Sequence, residues 1–367
     1  MRKGENIYKR KDGRWEGRYH KGRKLNGKIK YGYVYGKTFK EVRAKLYPLK
    51  AKFQEINQLQ GDAAMSYFEW AIYWLSNIKR EVKVSTYAGY EYKLKKYIFP
   101  VIGESALNEI TSDKCQEVLA SLEDLKLSTA SIHLIYQLFS RCLKAAKQDG
   151  LLATNPSQKM KLPKLKKQRV HALTKQEQGK LEKAAKSAGE KGLPTLLSLY
   201  TGLRIGEISA LKWKDIDLDT NIIHVENTIQ RIPVTYDMDE TRIVSGSSKS
   251  ENGVRSIPFG KKIKQLLLEH KVQSTSEYVF SVNNKPCEPR LLTYYFHKIR
   301  KASQLVHIHF HQLRHSFATR CLELKADIPS VSAMLGHSTA KTTLDFYADA
   351  LLEQRISVIN LLETKLN

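Results

Sequence analysis

The sequence predicts a multidomain chain: a small three-stranded β domain, an all-α bundle of four helices, and a mixed, mainly-α domain carrying a small β-sheet. Three observations predict it. Aromatic residues alternate at period two between Trp15 and Tyr35, as half-buried strands require. From Met65 to about Gln148 the apolar residues instead recur at helical spacing, between residues that cap helices. After that stretch, Pro156–Arg169 (PSQKMKLPKLKKQR) has two prolines, six basic residues and no acid, the composition of an extended linker. The expected boundaries are 1–60, 61–155, a basic linker at 156–170, and 171–367.

In chain order, Ile7–Arg10 and Trp15–Tyr19 flank Lys11-Asp12-Gly13, a hairpin turn. KIKYGYVYG supplies the third strand, with Tyr31, Tyr33 and Tyr35 alternating, and a helix follows from about Thr38 to Ile56. In the bundle, Phe68, Ala71, Trp74 and Leu75 mark the first helix. Thr86–Tyr97 is the second, ended by Phe99-Pro100 and Gly103. Thr111-Ser112-Asp113 and Ser128 open the third and fourth by N-cap chemistry. The bundle's Trp and Tyr residues are expected in its core, and Lys79, Arg80, Lys83, Lys93, Lys95 and Lys96 on an outward face. In the last domain Thr174 and Glu177 have the spacing of a capping box, Asn221–Asn227 and Arg255–Phe259 read as strands, and Trp213 reads as core.

Charge narrows the function. Lys and Arg total 62 against 37 acids, a net charge of +25 over 367 residues, which points to a polyanionic partner, most simply nucleic acid. Residues 1–52 alone carry +14 of it. Basic and aromatic side chains interleave there as in a ribbon that fits a major groove. Other classes drop out. No apolar run approaches the roughly 18 residues of a membrane span, and the start, MRKGENIYKRK, lacks the apolar core of a signal peptide. Cys115, Cys142, Cys287 and Cys321 form no CxxC, which fits reduced cytosolic thiols, and no GxxxxGK[ST] motor motif occurs.

Three short boxes carry chemistry. Thr201–Leu211 (TGLRIGEISAL) sets Arg204 between two glycines with Glu207 three residues on: a planar fork for a phosphate, with a carboxylate to hold it or simply a structural ion pair. In His311-Gln312-Leu313-Arg314-His315, His311 and Arg314 share a helix face, which suits proton transfer beside charge stabilisation. His307, His309, His311 and His315 also form a cluster with one metal-like spacing, but arginines rather than carboxylates or thiols surround it. In the third box Gly336-His337 precedes Tyr347 by ten residues. A free tyrosine, with a pKa near 10, is about one-thousandth phenolate at pH 7, so it needs a cationic pocket and a base to act as a nucleophile.

Together these boxes resemble those of the tyrosine recombinase (phage integrase) family. TGLRIGE followed by ALKWKDID resembles its first box, HQLRHSFAT its H-x-x-R box, and LGHSTAKTTLDFY its segment from [HW] to Tyr. The three-part layout resembles integrases of temperate phages and conjugative transposons of Gram-positive bacteria. The resemblance implies that Arg204 and Arg314 bind the scissile phosphate, that Tyr347 attacks phosphorus to give a 3′-phosphotyrosyl bond, that His311 accepts or relays the tyrosine proton, and that His337 stabilises the phosphorane. It implies a lysine on a hairpin, which Lys249 in Ser248–Pro258 matches, to protonate the leaving 5′-oxygen; Lys262, Lys264 and Arg255 compete for that part. Glu207 corresponds to the acidic residue that orients the first box. No ATP or other cofactor is implied, because the phosphotyrosyl bond conserves the energy for religation, and no metal, because two arginines, two histidines and a lysine supply the charge that Mg²⁺ provides in carboxylate-based nucleases.

On this resemblance, 1–60 binds arm-type DNA, 61–155 and 171–367 clamp the core site, and a tetramer exchanges strands through a Holliday junction, integrating and excising a mobile element. An excisionase and a host DNA-bending protein are the further partners, no membrane is involved, and the location is the bacterial cytoplasm on DNA. The apolar residues Leu351, Leu352, Ile356, Ile359 and Leu362 imply a C-terminal helix that packs within its own subunit or docks on a neighbour. Rival readings are a type IB topoisomerase-like relaxase, a dimer-resolving recombinase, and a non-catalytic DNA-binding regulator on the same scaffold.

Overall fold

A computed structural model of the chain describes residues 5–24, 26–165, 171–234, 240–247, 253–337, 339, 344, 359 and 362–364. The chain divides into two compact units, Met1–Lys167 with Pro233–Glu240, and Gln168–Ile232 with Thr241–Asn367.

In the first unit, β1 (Ile7–Lys9), β2 (Trp15–Arg23) and β3 (Ile29–Gly36) form an antiparallel sheet in chain order. The register sets Glu16 opposite Tyr35, Arg18 opposite Tyr33 and His20 opposite Tyr31, so these side chains share one face. The other face carries Trp15, Gly17, Tyr19 and Val34. It packs on α1 (Phe39–Gln60) through Val42, Leu46 and Phe53. A Cβ on Gly17 would lie 2.8 Å from Val42 Cγ1, so the residue must be small for the helix to approach. Trp15 therefore belongs to the helix-facing side, edge-on to Phe39 at 5.3 Å, while the tyrosines form the outer side. The Thr38 hydroxyl caps α1 by accepting from Glu41 N–H, and the helix runs past Ile56 to Gly61, whose φ of 92° ends it.

The bundle consists of α2 (Tyr67–Ile78), α3 (Val84–Lys93), α4 (Phe99–Ile102), α5 (Ser112–Asp124) and α6 (Thr129–Gln148). Ser66, Thr111 and Ser128 cap α2, α5 and α6 through their hydroxyls. Trp70, Leu75, Ile98, Leu119, Phe139 and Leu143 fill the core, and the Trp70 indole N–H donates to the Cys142 carbonyl at 3.1 Å. Phe68 lies outside that core, 42% exposed and edge-on to Phe99; the buried stripe of α2 is Tyr67, Trp70, Ala71, Trp74. Pro100 does not stop the second helix. A π-helical turn, Leu94–Ile98, widens it so that Phe99 N–H reaches Leu94 O, and Pro100 falls in the first turn of α4, where its missing N–H costs nothing. Of the outward lysines, Lys95 is tied at 2.8 Å to the buried Glu91. The proline-rich stretch begins as part of this bundle: Pro156 and Ser157 are buried, and the Pro163 carbonyl meets His133 Nε2 at 2.7 Å.

In the second unit, α7 (Lys175–Ser187) opens on the Thr174–Glu177 capping box. Then come α8 (Leu193–Thr201), α9 (Ile205–Ala210), β4 (Ile216–Asp217), β5 (Ile222–Val225), β6 (Asn227–Pro233), β7 (Thr241–Ser247) and β8 (Arg255–Pro258). β4, β5 and β8 make a three-stranded antiparallel sheet, while β6 and β7 pair as a separate ribbon. α10 (Lys261–Gln273), a small hairpin of β9 (Ser281–Val282) and β10 (Lys285–Pro286), α11 (Pro289–Ala302), α12 (His311–Glu323) and α13 (Ile328–Leu335) complete it. Leu197, Leu203, Ile223, Ile257, Phe296 and Leu313 lie in its core. Trp213 is half-buried at the edge of that core, its N–H donating to Ser274 Oγ at 2.8 Å. No helix among the described residues is long and apolar enough to cross a membrane.

Candidate active site

The first box is a helix end followed at once by a helix start. α8 stops at Gly202, whose φ of 69° belongs to the left-handed region; a Cβ there would lie 2.7 Å from Phe317 and 2.8 Å from Leu335. This turn leaves Arg204 at the N-cap of α9. Glu207, one turn on, accepts the Arg204 backbone N–H at 2.9 Å and its Nη1 at 2.7 Å. Gly206 fits where β6 passes: a Cβ would lie 2.6 Å from Thr228 Oγ1 and 2.7 Å from the Ile229 carbonyl. The two glycines thus serve the turn and the packing.

The second box opens α12. Arg314 is 1% exposed, and its guanidinium is held by carbonyls: Nη1 donates to Gly202 O at 2.8 Å and Nη2 to Leu335 O. Burial and the neighbouring Arg204 charge pull Arg314 down to about 9, so it remains protonated at neutral pH. His311 lies one turn before it, and burial followed by the Arg314 and Arg204 charges lower its pKa. His315 stands edge-on to His311, ring centroids 5.1 Å apart, and burial takes it down to about 4.

The third box follows α13, which ends on Gly336 at φ 64°. His337 comes next, its backbone N–H donating to Ser332 O at 3.1 Å. Burial and the charges of Arg314, Arg204 and Arg255 push it down to about 4. The last three carbonyls of this helix end each receive a different arginine. Arg255 Nε donates to Met334 O at 2.7 Å, Arg314 to Leu335 O, and Arg204 Nη2 to Gly336 O at 3.4 Å. Carbonyls left over at a helix C-terminus carry partial negative charge and favour cations. Here they gather three guanidiniums beside imidazoles held neutral.

The structure thus brings together Arg204, Glu207, His311, Arg314 and His337. Lys249 and Tyr347 lie outside the described residues, as does most of the apolar C-terminal segment. Two of the competitors for the part given to Lys249 are engaged elsewhere. Lys262, on α10, bonds Glu182 at 2.9 Å and the Tyr200 hydroxyl. The Arg255 side chain is 5% exposed and grips Glu207. That grip is the feature sequence reasoning missed. Glu207, itself 4% exposed, accepts from Arg255 Nη1 at 3.0 Å and Nη2 at 2.8 Å. Burial works to raise the Glu207 carboxyl, but the bonds and charge of Arg255, then Arg204, outweigh it and hold the group below its usual range. Among the described residues no group of three or more His, Cys, Asp or Glu is placed to hold a metal, and His307 instead faces Glu177 at 3.6 Å.

The family match gives this fold and cluster their class, the site-specific recombinases that act through a tyrosine. Residues 164–354 match the phage integrase family, and residues 66–122 match the N-terminal SAM-like domain of phage integrases. The first match covers more than half of the chain, and the chain belongs to the phage integrase family: it is a tyrosine site-specific recombinase. It is 25% identical to a tyrosine recombinase XerC-like protein of Caldanaerobacter subterraneus subsp. tengcongensis, over 93% of each chain. It is also 25% identical to the ICEBs1 integrase of Bacillus subtilis, over 84% of each. Among solved structures, the fold is similar to the Tn1549 transposon integrase in complex with a circular intermediate DNA, with a TM-score of 0.66, 18% identity, and coverage of 80% of this chain and 99% of that one. It is similar as well to a lambda integrase tetramer bound to a Holliday junction, with a TM-score of 0.59, 21% identity, and coverage of 93% and 97%.

Proposed function

We propose that this chain is the integrase of a mobile genetic element, and that Arg204, Lys249, His311, Arg314, His337 and Tyr347 form its catalytic set. Arg204 and Arg314 bind the non-bridging oxygens of the scissile phosphate. The Tyr347 hydroxyl attacks phosphorus, and its proton passes to the neutral His311. The bond from phosphorus to the 5′-oxygen breaks, and Lys249 gives that oxygen its proton. A 3′-phosphotyrosyl bond results, which the 5′-hydroxyl of a partner strand opens in the reverse sense. His337 donates to the phosphorane, and Glu207 orients Arg204. The guanidiniums supply fixed positive charge where the transition state gathers negative charge.

The observation that carries this reading is the convergence of arginines on the end of α13 beside His311 and His337. Domain roles follow from surface chemistry. The outer face of the N-terminal sheet presents Arg18 over the Tyr8 and Tyr31 rings at 5.4 and 4.9 Å, and suits arm-type DNA. The bundle and the last domain clamp the core site, and four protomers exchange strands in pairs through a Holliday junction. An excisionase and a host bending protein set direction, all on DNA in the bacterial cytoplasm.

The test is a nicked suicide substrate built from the ends of the element. The wild-type chain should be trapped as a covalent adduct. Tyr347→Phe should form none while still binding DNA, and undiminished adduct in that variant would mean another nucleophile. Strand transfer between two attachment sites, rather than resolution of a tandem repeat, separates an integrase from a dimer-resolving recombinase.

A further inference from the structure

The arginines on the end of α13 are not equivalent. Arg204 has a side chain 38% exposed and makes one short bond to Glu207, so part of its fork faces outward. Arg255 has a side chain only 5% exposed, and every nitrogen of its guanidinium is engaged. Nε goes to Met334 O at 2.7 Å, Nη1 to Glu207 Oε1 at 3.0 Å and Gly253 O at 3.1 Å, and Nη2 to Glu207 Oε2 at 2.8 Å. Four of its five N–H donors are thus spent inside the protein, and its side chain is too enclosed to serve chiefly as a DNA contact. It links three pieces of chain instead: β8 through its own backbone, α9 through Glu207, and the end of α13 through Met334.

We propose that Arg255 is a positioning residue for strand cleavage, one that fixes Arg204 through Glu207 and holds the α13 terminus from which His337 emerges. This rests on the reading that Arg204 binds the scissile phosphate. The physical need is clear from Glu207. A carboxylate 4% exposed must stay ionised to orient Arg204, and Arg255 lowers its pKa more than any other group does. The remaining charged or titratable groups acting with Glu207 are Arg204 on its own turn and Arg314 and the imidazole of His311 on α12. Only a planar fork can bond both carboxylate oxygens and, from its third nitrogen, a carbonyl on another element; a lysine ammonium supplies charge without that geometry.

The experiment compares wild type, Arg255→Met, Arg255→Lys and the double variant Arg255→Met/Glu207→Gln. The readouts are melting temperature, affinity for the suicide substrate, and the first-order rate of adduct formation at saturating DNA from pH 5.5 to 8. Arg255→Met should bind DNA within about threefold of wild type yet cleave about 10- to 100-fold more slowly at pH 8, the scale of a misplaced reacting group. Its rate relative to wild type should fall further toward pH 5.5, as Glu207, no longer held down, takes up a proton. Arg255→Lys restores the charge and should lose that acid limb while staying slow. The double variant removes the orphaned carboxyl, so it should fold even if Arg255→Met does not, and it should cleave slowly with no acid limb.

A merely structural Arg255 would lower the melting temperature and leave the rate and pH profile of the folded protein at wild-type values; that result overturns the proposal. A double variant that cleaves at the wild-type rate overturns it too. A wild-type chain that forms no adduct overturns the parent reading, and this one with it. Normal wild-type cleavage beside an unaffected Arg255→Met overturns the positioning role alone.

Discussion

Guanidinium groups occupy two contrasting settings in this molecule. On the outer face of the N-terminal sheet, Arg10 lies over the Tyr35 ring at 5.5 Å and Arg18 over Tyr8 and Tyr31, among tyrosines about half exposed. Ring faces, worth roughly 0.5–1 kcal/mol each at exposed sites, are among their anchors, and Arg10 also pairs with Glu16 at 2.5 Å on the same surface. At the end of α13, Arg255 and Arg314 are buried and hydrogen-bonded to carbonyls and to Glu207. An arginine held at the surface, with ring faces and surface carboxylates for neighbours, can follow a backbone and exchange counterions with it, and so acts on affinity and salt dependence. A buried arginine has its orientation and desolvation settled during folding; on the proposed function Arg314 therefore meets the reacting phosphate without reorganising while Arg255 fixes the groups around it, and both act on rate. On the proposed function the same side chain thus does two kinds of work, separated by how firmly the surrounding fold holds it.

The strongest way to break this comparison is Arg314→Ala. Removing one preorganised donor costs about 2.7–4 kcal/mol of transition-state stabilisation. The rate of adduct formation should therefore fall on the order of 100- to 1,000-fold at saturating DNA. Stability should fall as well, by about 1–3 kcal/mol, because the Gly202 and Leu335 carbonyls lose their buried donor. Suicide-substrate kinetics and thermal melting check both. A variant that binds DNA poorly but cleaves normally once saturated would place Arg314 with the sheet arginines.

A smaller effect is expected from Arg18→Ala. Cleavage of core-site DNA should be unchanged. Affinity for arm-type DNA should drop a few-fold, about 1 kcal/mol, and the slope of log K against log salt should become shallower by about one. Binding titrations at several salt concentrations read both quantities. A rate defect on core DNA would mean that the sheet reaches into the chemistry.

Much of this was legible in the residues, for identifiable reasons. Caps are local chemistry, so Thr38, Thr111, Ser128 and Thr174 located their helices closely. The box arginines and histidines could be singled out because each box is a short local motif, and the structure brings them together. Features that depend on the third dimension were not. Phe68 has helical spacing with Ala71 and Leu75 but sits at the rim of the stripe, where a small rotation decides burial. Pro100 looked like a terminator because a π turn, which absorbs the missing N–H, has no sequence signature. The ribbon of β6 and β7 carried no such signal, because the buried Ile229 and Ile232 of β6 stand three residues apart rather than two. Arg255 was read only as a rival to Lys249. Its partners, Glu207 and Met334, are 48 and 79 residues away in sequence, and no short motif joins them.

The gentlest test uses protons instead of substitutions. His311, His315 and His337 all have folded-state pKa values depressed from 6.5, the latter two to about 4, with burial the leading cause and the arginine charges helping. A base depressed in the folded state binds fewer protons there than in the unfolded chain. Stability should therefore be at its plateau above about pH 6.5 and decline as pH falls from 6.5 toward 4, with each pH unit worth at most about 1.4 kcal/mol per fully buried group and less for these partly covered rings. The melting temperature should slip by a few degrees between pH 6.5 and 5. His315→Asn, which removes one of the two most depressed rings, should flatten the slope. A polyvalent anion such as sulfate should oppose the decline by offsetting the arginine charges, whereas chloride at equal ionic strength should do so less. The sheet face offers no such enclosure, so Arg18→Ala should leave the pH dependence of melting as it is. A wild-type melting curve flat across that window would mean the cluster is as open to water as the sheet, and the contrast between the two settings would lose its physical basis.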